Sequence, residues 1–274
     1  KKCLFDPLNG LKDLEISLLR THSEKNLLND PLRILRCFRF VSELNFKIDP
    51  NLITLIKKNK EKLYLVANER INYEIQKIVN GVNALDAVIL LKKLNIFGSD
   101  NLYRDSFFLD LKKINFSELN QEEKEKFLPL FFIAQILDVV SLEKLKFSKA
   151  EIAKTKLLRK WHFFLKDKNI SHLSELDRFK LHQELEKFLP SFIFYLPQHL
   201  RLDWLNKWRD KENKLFHPSN LINGDVIKKY FKIEDGPILG ELLQYLSMEL
   251  AYKRLKDFDE AIYKAKQWIE QNAP

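Results

Sequence analysis

Leu, Ile and Phe recur at three- and four-residue spacing along nearly the whole chain, with lysines and acids between them. That spacing is the mark of amphipathic helices, and alternating strand-like runs with hairpin turns are scarce. Ile34, Leu35, Phe38 and Val41 form one stripe behind an Asp30-Pro31 helix start. Leu52, Ile53 and Ile56 form a second, in a helix that Pro50 opens and that runs to about Asn59; Ile71, Ile75 and Ile78 form a third, in a helix starting at Asn68. An apolar run from Leu85 to Leu94 stops at Gly98-Ser99-Asp100, and 101–120 is less periodic. A long helix is predicted over Gln121–Val140, with Pro129 as a kink or break. Ser141 and Ser148 read as further helix starts, the second with Glu151 as a capping box. Ser174–Leu189, a helix behind Gly236-Pro237 and Glu260–Gln271 complete the pattern. The expected fold class is all-α, an elongated multi-helix chain.

The polar side of the first stripe changes the picture. Arg33, Arg36 and Arg39 recur every third residue, on the face opposite the apolar one, with Asp30 at the helix start. Two readings of this row stand side by side. In one it is a solvated face and Asp30 a plain helix cap. In the other it recognises a nucleotide: a carboxylate accepts from the exocyclic amine of cytosine or adenine, and guanidinium groups donate to a ring nitrogen and to phosphates.

The stretch Asp30-Pro31-Leu32-Arg33-Ile34-Leu35-Arg36 with Arg39-Phe40, followed by Leu44-Asn45-Phe46-Lys47-Ile48-Asp49-Pro50, resembles the class II (bacterial-type) tRNA nucleotidyltransferase and poly(A) polymerase family. The resemblance implies that Asp30 and Arg33 template the incoming CTP or ATP and that Arg36 and Arg39 contact it. Asn29 stands where the family usually has an acid. Asn68-Glu69-Arg70-Ile71 with Glu74 resembles a second family motif, in which Glu69, Arg70 and Glu74 brace the nucleotide-binding helix; Asn68 takes the place of a capping Ser. Leu221-Ile222-Asn223-Gly224 and Gly236-Pro237-Ile238-Leu239-Gly240 resemble the family's tail. The implied organisation is a neck over 1–95, a helical body over 96–215 and an RNA-binding tail over 216–274.

Composition agrees with a polyanionic partner. The net charge is +9 over 274 residues. The stretch 141–168 holds nine Lys or Arg against three acids, a local +6. Lys154, Lys156, Arg159 and Lys160 are the expected phosphate contacts there, with Trp161, Phe163 and Phe164 read as core. The helix N-terminus at Gly236 offers free N–H groups to a phosphate, and Gly240 lets another backbone come close. The resemblance implies that the polyanionic partner is tRNA; no membrane and a cytoplasmic setting are expected. Cys3 and Cys37 supply neither a disulfide framework nor a metal set.

Nucleotidyl transfer on the family's plan needs a Gly-Ser followed by paired aspartates holding Mg²⁺. Gly98-Ser99 has no such pair after it, and Asp257-Phe258-Asp259 reads as a helix cap. The chain opens Lys1-Lys2 and its one methionine is Met248. The expectation is therefore a piece lacking an N-terminal catalytic head, inactive alone, with no catalytic residue or metal site of its own and Mg²⁺ needed only by the intact enzyme. Whether C, A or both are added is not written in these residues. The alternatives are a stand-alone helical RNA-binding module without a nucleotide site, and a protein-interaction scaffold.

Overall fold

The computed structural model describes residues 5–98, 109–166, 168 and 170–272. Cys3, the break at Ser99-Asp100 and the aperiodic stretch up to 108 lie outside them. The chain groups into two compact units, Lys1–Arg159 and Lys160–Pro274.

The first unit contains α1 (Gly10–Glu15), β1 (Leu18–Leu19), α2 (Lys25–Asn29), α3 (Arg33–Leu44), β2 (Lys47–Ile48), α4 (Pro50–Asn59), α5 (Asn68–Val79), α6 (Ala84–Leu94), α7 (Gln121–Ile136) and α8 (Val139–Lys144). The helix α9 (Lys149–Lys166) runs across the division. α3 is central and packs on α5 and α6. Its predicted stripe is the core: Ile34, Leu35 and Phe38 are fully buried, and Ile75, Ile78, Ala87 and Val88 come to meet them. Gly81 makes the α3–α6 approach possible. A Cβ there would lie 2.1 Å from the Ser42 hydroxyl and 2.8 Å from the Ser42 carbonyl. The same Ser42 donates to Ile78 O at 2.6 Å and its carbonyl accepts from Asn83 N at 2.8 Å.

Several boundaries differ from the sequence reading. The long helix stops at Ile136, not Val140, and Pro129 is carried inside it without ending it. The next helix starts at Val139, where Asp138 accepts from Ser141 N, so Ser141 is an interior residue and not a start. Ser148 and Glu151 do form the reciprocal capping box. One small sheet was not foreseen: β1 and β2 pair in parallel, Leu18 with Lys47 and Leu19 with Ile48. Two-residue strands carry too little alternation to be read from sequence.

The second unit contains α10 (Glu175–Leu185), α11 (Leu189–Phe192), α12 (Gln198–Arg209), α13 (Gly224–Phe231), α14 (Pro237–Ala251) and α15 (Phe258–Asn272). The predicted Ser174–Leu189 helix is thus α10, capped by Ser174, with a 3-10 turn before α11. Trp204 packs on His182 and Phe216, and Trp208 donates to Glu186 O at 2.7 Å. Burial among these rings pulls the His182 imidazole down to about 3. In α13–α15 a separate core gathers Ile227, Leu242, Leu246, Ala261 and Ala265. Glu249 binds it from the side, held by Arg254 at 2.7 Å and by Lys264.

Candidate nucleotide and RNA site

Asp30 does not cap α3. The N-cap is Leu32, and Arg33 N bonds the Asp30 carbonyl instead, at 3.1 Å. That frees the Asp30 carboxylate, which pairs with Arg70 on α5 at 3.5 Å. Both partners are partly exposed, so the pair is weak and exchangeable.

The three arginines divide into two kinds. Arg39 is committed: its guanidinium bonds both Glu74 oxygens at 3.1 Å and approaches Glu43 at 3.4 Å. Burial pushes the Glu74 carboxyl above its ordinary value, against the pull of Arg39. Arg33 and Arg36 are exposed and have no carboxylate partner among the described residues. Two clefts flank them. One, of about 360 Å³, lies between α3 and the loop after β1, and is walled by Arg20, His22, Arg33, Arg36, Cys37 and Phe40. Burial pushes the Cys37 thiol up to about 12. The other, of about 390 Å³, lies between α3 and α5 and is walled by Arg36, Arg39, Glu69, Arg70, Tyr73 and Glu74. Arg36 borders both.

The bracing motif therefore works on two fronts. Arg70 and Glu74 face α3, as expected of supports. Glu69 does not: it is exposed and pairs with Lys146 at 2.6 Å, which holds its carboxyl below the usual range. Asn72 donates to the Leu145 and Lys146 carbonyls, both at 3.1 Å, and Gln76 to Glu151 at 2.6 Å. α5 is thus pinned to α3 by one stripe and to the α8–α9 turn by another. Nor does Asn68 cap α5: the N-cap falls on Ala67, whose methyl group cannot accept a hydrogen bond.

The RNA expectations separate likewise. Arg159 is buried, its guanidinium donating to Leu137 O at 3.0 Å and Ala134 O at 3.4 Å across the end of α7. It cannot reach a phosphate as a surface contact. Lys156 pairs with Glu143 at 3.0 Å, Lys160 with Glu184 at 2.6 Å, and Lys154 is exposed. Trp161 is buried as expected, while Phe163 faces solvent. Gly236 opens α14 in an extended conformation that any residue adopts. A Cβ at Gly236 or Gly240 would meet nothing within 4 Å, so Gly240 does not serve a close internal approach. Both glycines lie on open surface.

Arg20 and His22 escaped the sequence reading, because a two-residue strand and its loop show no periodicity.

Residues 45–99 match the family model described as the probable RNA and SrmB-binding site of polymerase A. Over 288 aligned residues the chain is 24% identical to the CC-adding tRNA nucleotidyltransferase of Synechocystis sp., covering 94% of this chain and 69% of that protein. Over nearly its whole length the chain is thus similar to a tRNA nucleotidyltransferase. Solved structures share the fold. The CCA-adding enzyme of Bacillus stearothermophilus in complex with CTP aligns with a TM-score of 0.66 at 19% identity, over 98% of this chain and 69% of that one. The Thermotoga maritima CCA-adding enzyme complexed with tRNA aligns with a TM-score of 0.62 at 19% identity, over 96% and 67%. Across α3 and the tail helices the all-α reading holds.

Proposed function

We propose that this chain is the neck (1–95), body (96–215) and tail (216–274) of a tRNA nucleotidyltransferase, a CCA- or A-adding enzyme or a related poly(A) polymerase. It selects CTP or ATP and binds tRNA for 3′-end addition in the cytoplasm. One observation carries the nucleotide part. On α3, Arg39 is locked to Glu74 while Arg33 and Arg36 stay exposed on cleft walls with no ion pair of their own among the described residues. A cation held rigid by its neighbour, beside cations left uncommitted, suits an anionic ligand that the fold itself does not supply. The Asp30 carboxylate becomes the base acceptor once the ligand's amine replaces Arg70.

Among the described residues no three His, Cys, Asp or Glu side chains gather as a metal site. On this reading the Mg²⁺ that the family implies is held by the carboxylates of a catalytic head domain. Leu8, Leu11, Leu14 and Ile16 stand exposed around α1, an apolar row suited to being covered by such a domain. tRNA contacts are drawn from Lys154 and its basic neighbours in one unit, and from the open Gly236–Gly240 surface in the other. No described helix is long and apolar enough to cross a membrane.

The deciding test uses the intact enzyme with Asp30→Ala and Arg33→Ala. Discrimination of CTP and ATP against GTP and UTP should blur while tRNA affinity holds. An unchanged preference in both variants would sink the nucleotide reading. The match of 45–99 to an RNA-binding description favours the second reading, a helical RNA-binding module without a nucleotide site, in that event.

A further inference from the structure

Between Glu69 and Ile78 nearly every side chain of α5 is committed to the core, to α3 or to the α8–α9 turn. Tyr73 and Lys77 are the exceptions. Tyr73 is 57% exposed on the wall of the α3–α5 cleft, and its hydroxyl has no partner among the described residues. Lys77 is exposed, and its ammonium lies 5.7 Å from the centre of the Tyr73 ring. The fold uses neither group. An uncommitted aromatic face, an ammonium one turn along the helix and the Arg36 guanidinium in the same cleft make up the chemistry that binds a nucleotide unit. The ring takes the base and the cations take the phosphate.

We propose that Tyr73 and Lys77 form a stacking and phosphate-binding pair for one nucleotide unit in the α3–α5 cleft, belonging either to the RNA 3′ end or to the free triphosphate. The proposal rests on the nucleotide reading above and adds two positions to it. A base arriving on the ring displaces the Lys77 ammonium, whose flexible stem lets it swing to that nucleotide's phosphate. Stacking tolerates any base, so the pair contributes affinity and placement, while discrimination stays with Asp30 and Arg33.

The test titrates the full chain and its Tyr73→Ala, Tyr73→Phe, Lys77→Gln and Arg36→Gln variants with two probes. One is CTP or ATP; the other is a short RNA hairpin with a single-stranded 3′ end. Tyr73→Ala should weaken the probe whose nucleotide sits on the ring by roughly five- to 100-fold, and Tyr73→Phe by less than about twofold. Lys77→Gln should flatten the log–log salt slope for the same probe by roughly 0.7 to 0.9. Which probe responds identifies the source. Circular dichroism should show unchanged helicity, since the ring is exposed. If Arg36→Gln weakens binding and Tyr73→Ala leaves both probes untouched, the stacking pair is overturned and the nucleotide site stands. If the parent chain binds neither probe, the site and the pair fall together.

Discussion

Arg39 and Glu74 hold α3 and α5 together through two hydrogen bonds of 3.1 Å, with the Glu74 side chain 5% exposed. A buried carboxylate of this kind tolerates ionisation only beside its guanidinium. Arg39→Gln should therefore cost about 3 kcal/mol at pH 7. Glu74 already sits above its ordinary value, and without Arg39 it rises further. A group whose folded pKa is raised loses its stabilising contribution as pH rises through that value. The penalty should accordingly be smaller near pH 4 than at pH 7, as measured by urea unfolding. A penalty that does not change with pH would refute this role.

Arg33 and Arg36 predict the opposite behaviour. They are exposed and unpaired, so Arg33→Gln and Arg36→Gln should leave stability within about 0.5 kcal/mol of the parent. Nucleotide affinity in the intact enzyme should nonetheless fall. Equal losses of stability for Arg36→Gln and Arg39→Gln would erase the distinction drawn between them.

Much of this division was legible in the sequence, and the reasons for the rest are physical. The stripe of Ile34, Leu35 and Phe38 and the arginine row fixed the orientation of α3, because helical periodicity survives any context. The motif singled out Arg70 and Glu74, which pair with Asp30 and Arg39. That Asp30 leaves α3 uncapped and turns its carboxylate to Arg70 was not legible, because a helix start depends on backbone dihedrals that Pro31 allows at more than one register. Arg159 was misjudged as surface because a charge count cannot distinguish an exposed lysine from an arginine inserted beneath the carbonyls at the end of α7. Gly81 gave no signal, since its need arises from Ser42, distant in sequence.

Gly81→Ala should destabilise the first unit by about 2 kcal/mol or more, because the added carbon overlaps backbone atoms of Ser42 that cannot rotate away. Ser42→Ala alone should not rescue it, for the carbonyl clash remains. A thermal scan that found Gly81→Ala within experimental error of the parent would show that α3 and α6 can separate at low cost.

Glu249 sets the acid limit of the tail core. Burial acts to raise its carboxyl, but hydrogen bonds from Arg254 and Lys264 outweigh it and hold the group below its ordinary value. A depressed carboxyl stabilises above its unfolded pKa and loses that contribution as pH falls through the folded one. Glu249→Gln should therefore lose stability at pH 7 and converge with the parent in acid. Parallel pH–stability curves for the two proteins would count against this account.

For RNA, Lys154→Gln should lower the salt slope of tRNA binding by about 0.7 to 0.9 with stability unchanged. Arg159→Ala should instead destabilise by about 2 kcal/mol, because the carbonyls of Ala134 and Leu137 lose their donor. A salt slope lowered by Arg159→Ala with no loss of stability would return that residue to the surface.

Arg36 is a wall shared by two neighbouring clefts. One guanidinium has a single set of five donors and can turn fully to only one side at a time. A ligand that claims it in the cleft beside Arg33 takes it from the cleft beside Tyr73. Two ligands that both needed this guanidinium would compete for it, and by reciprocity each would weaken the other by the same factor. Arg36→Gln would remove that competition from both spaces at once, with no helix having to move.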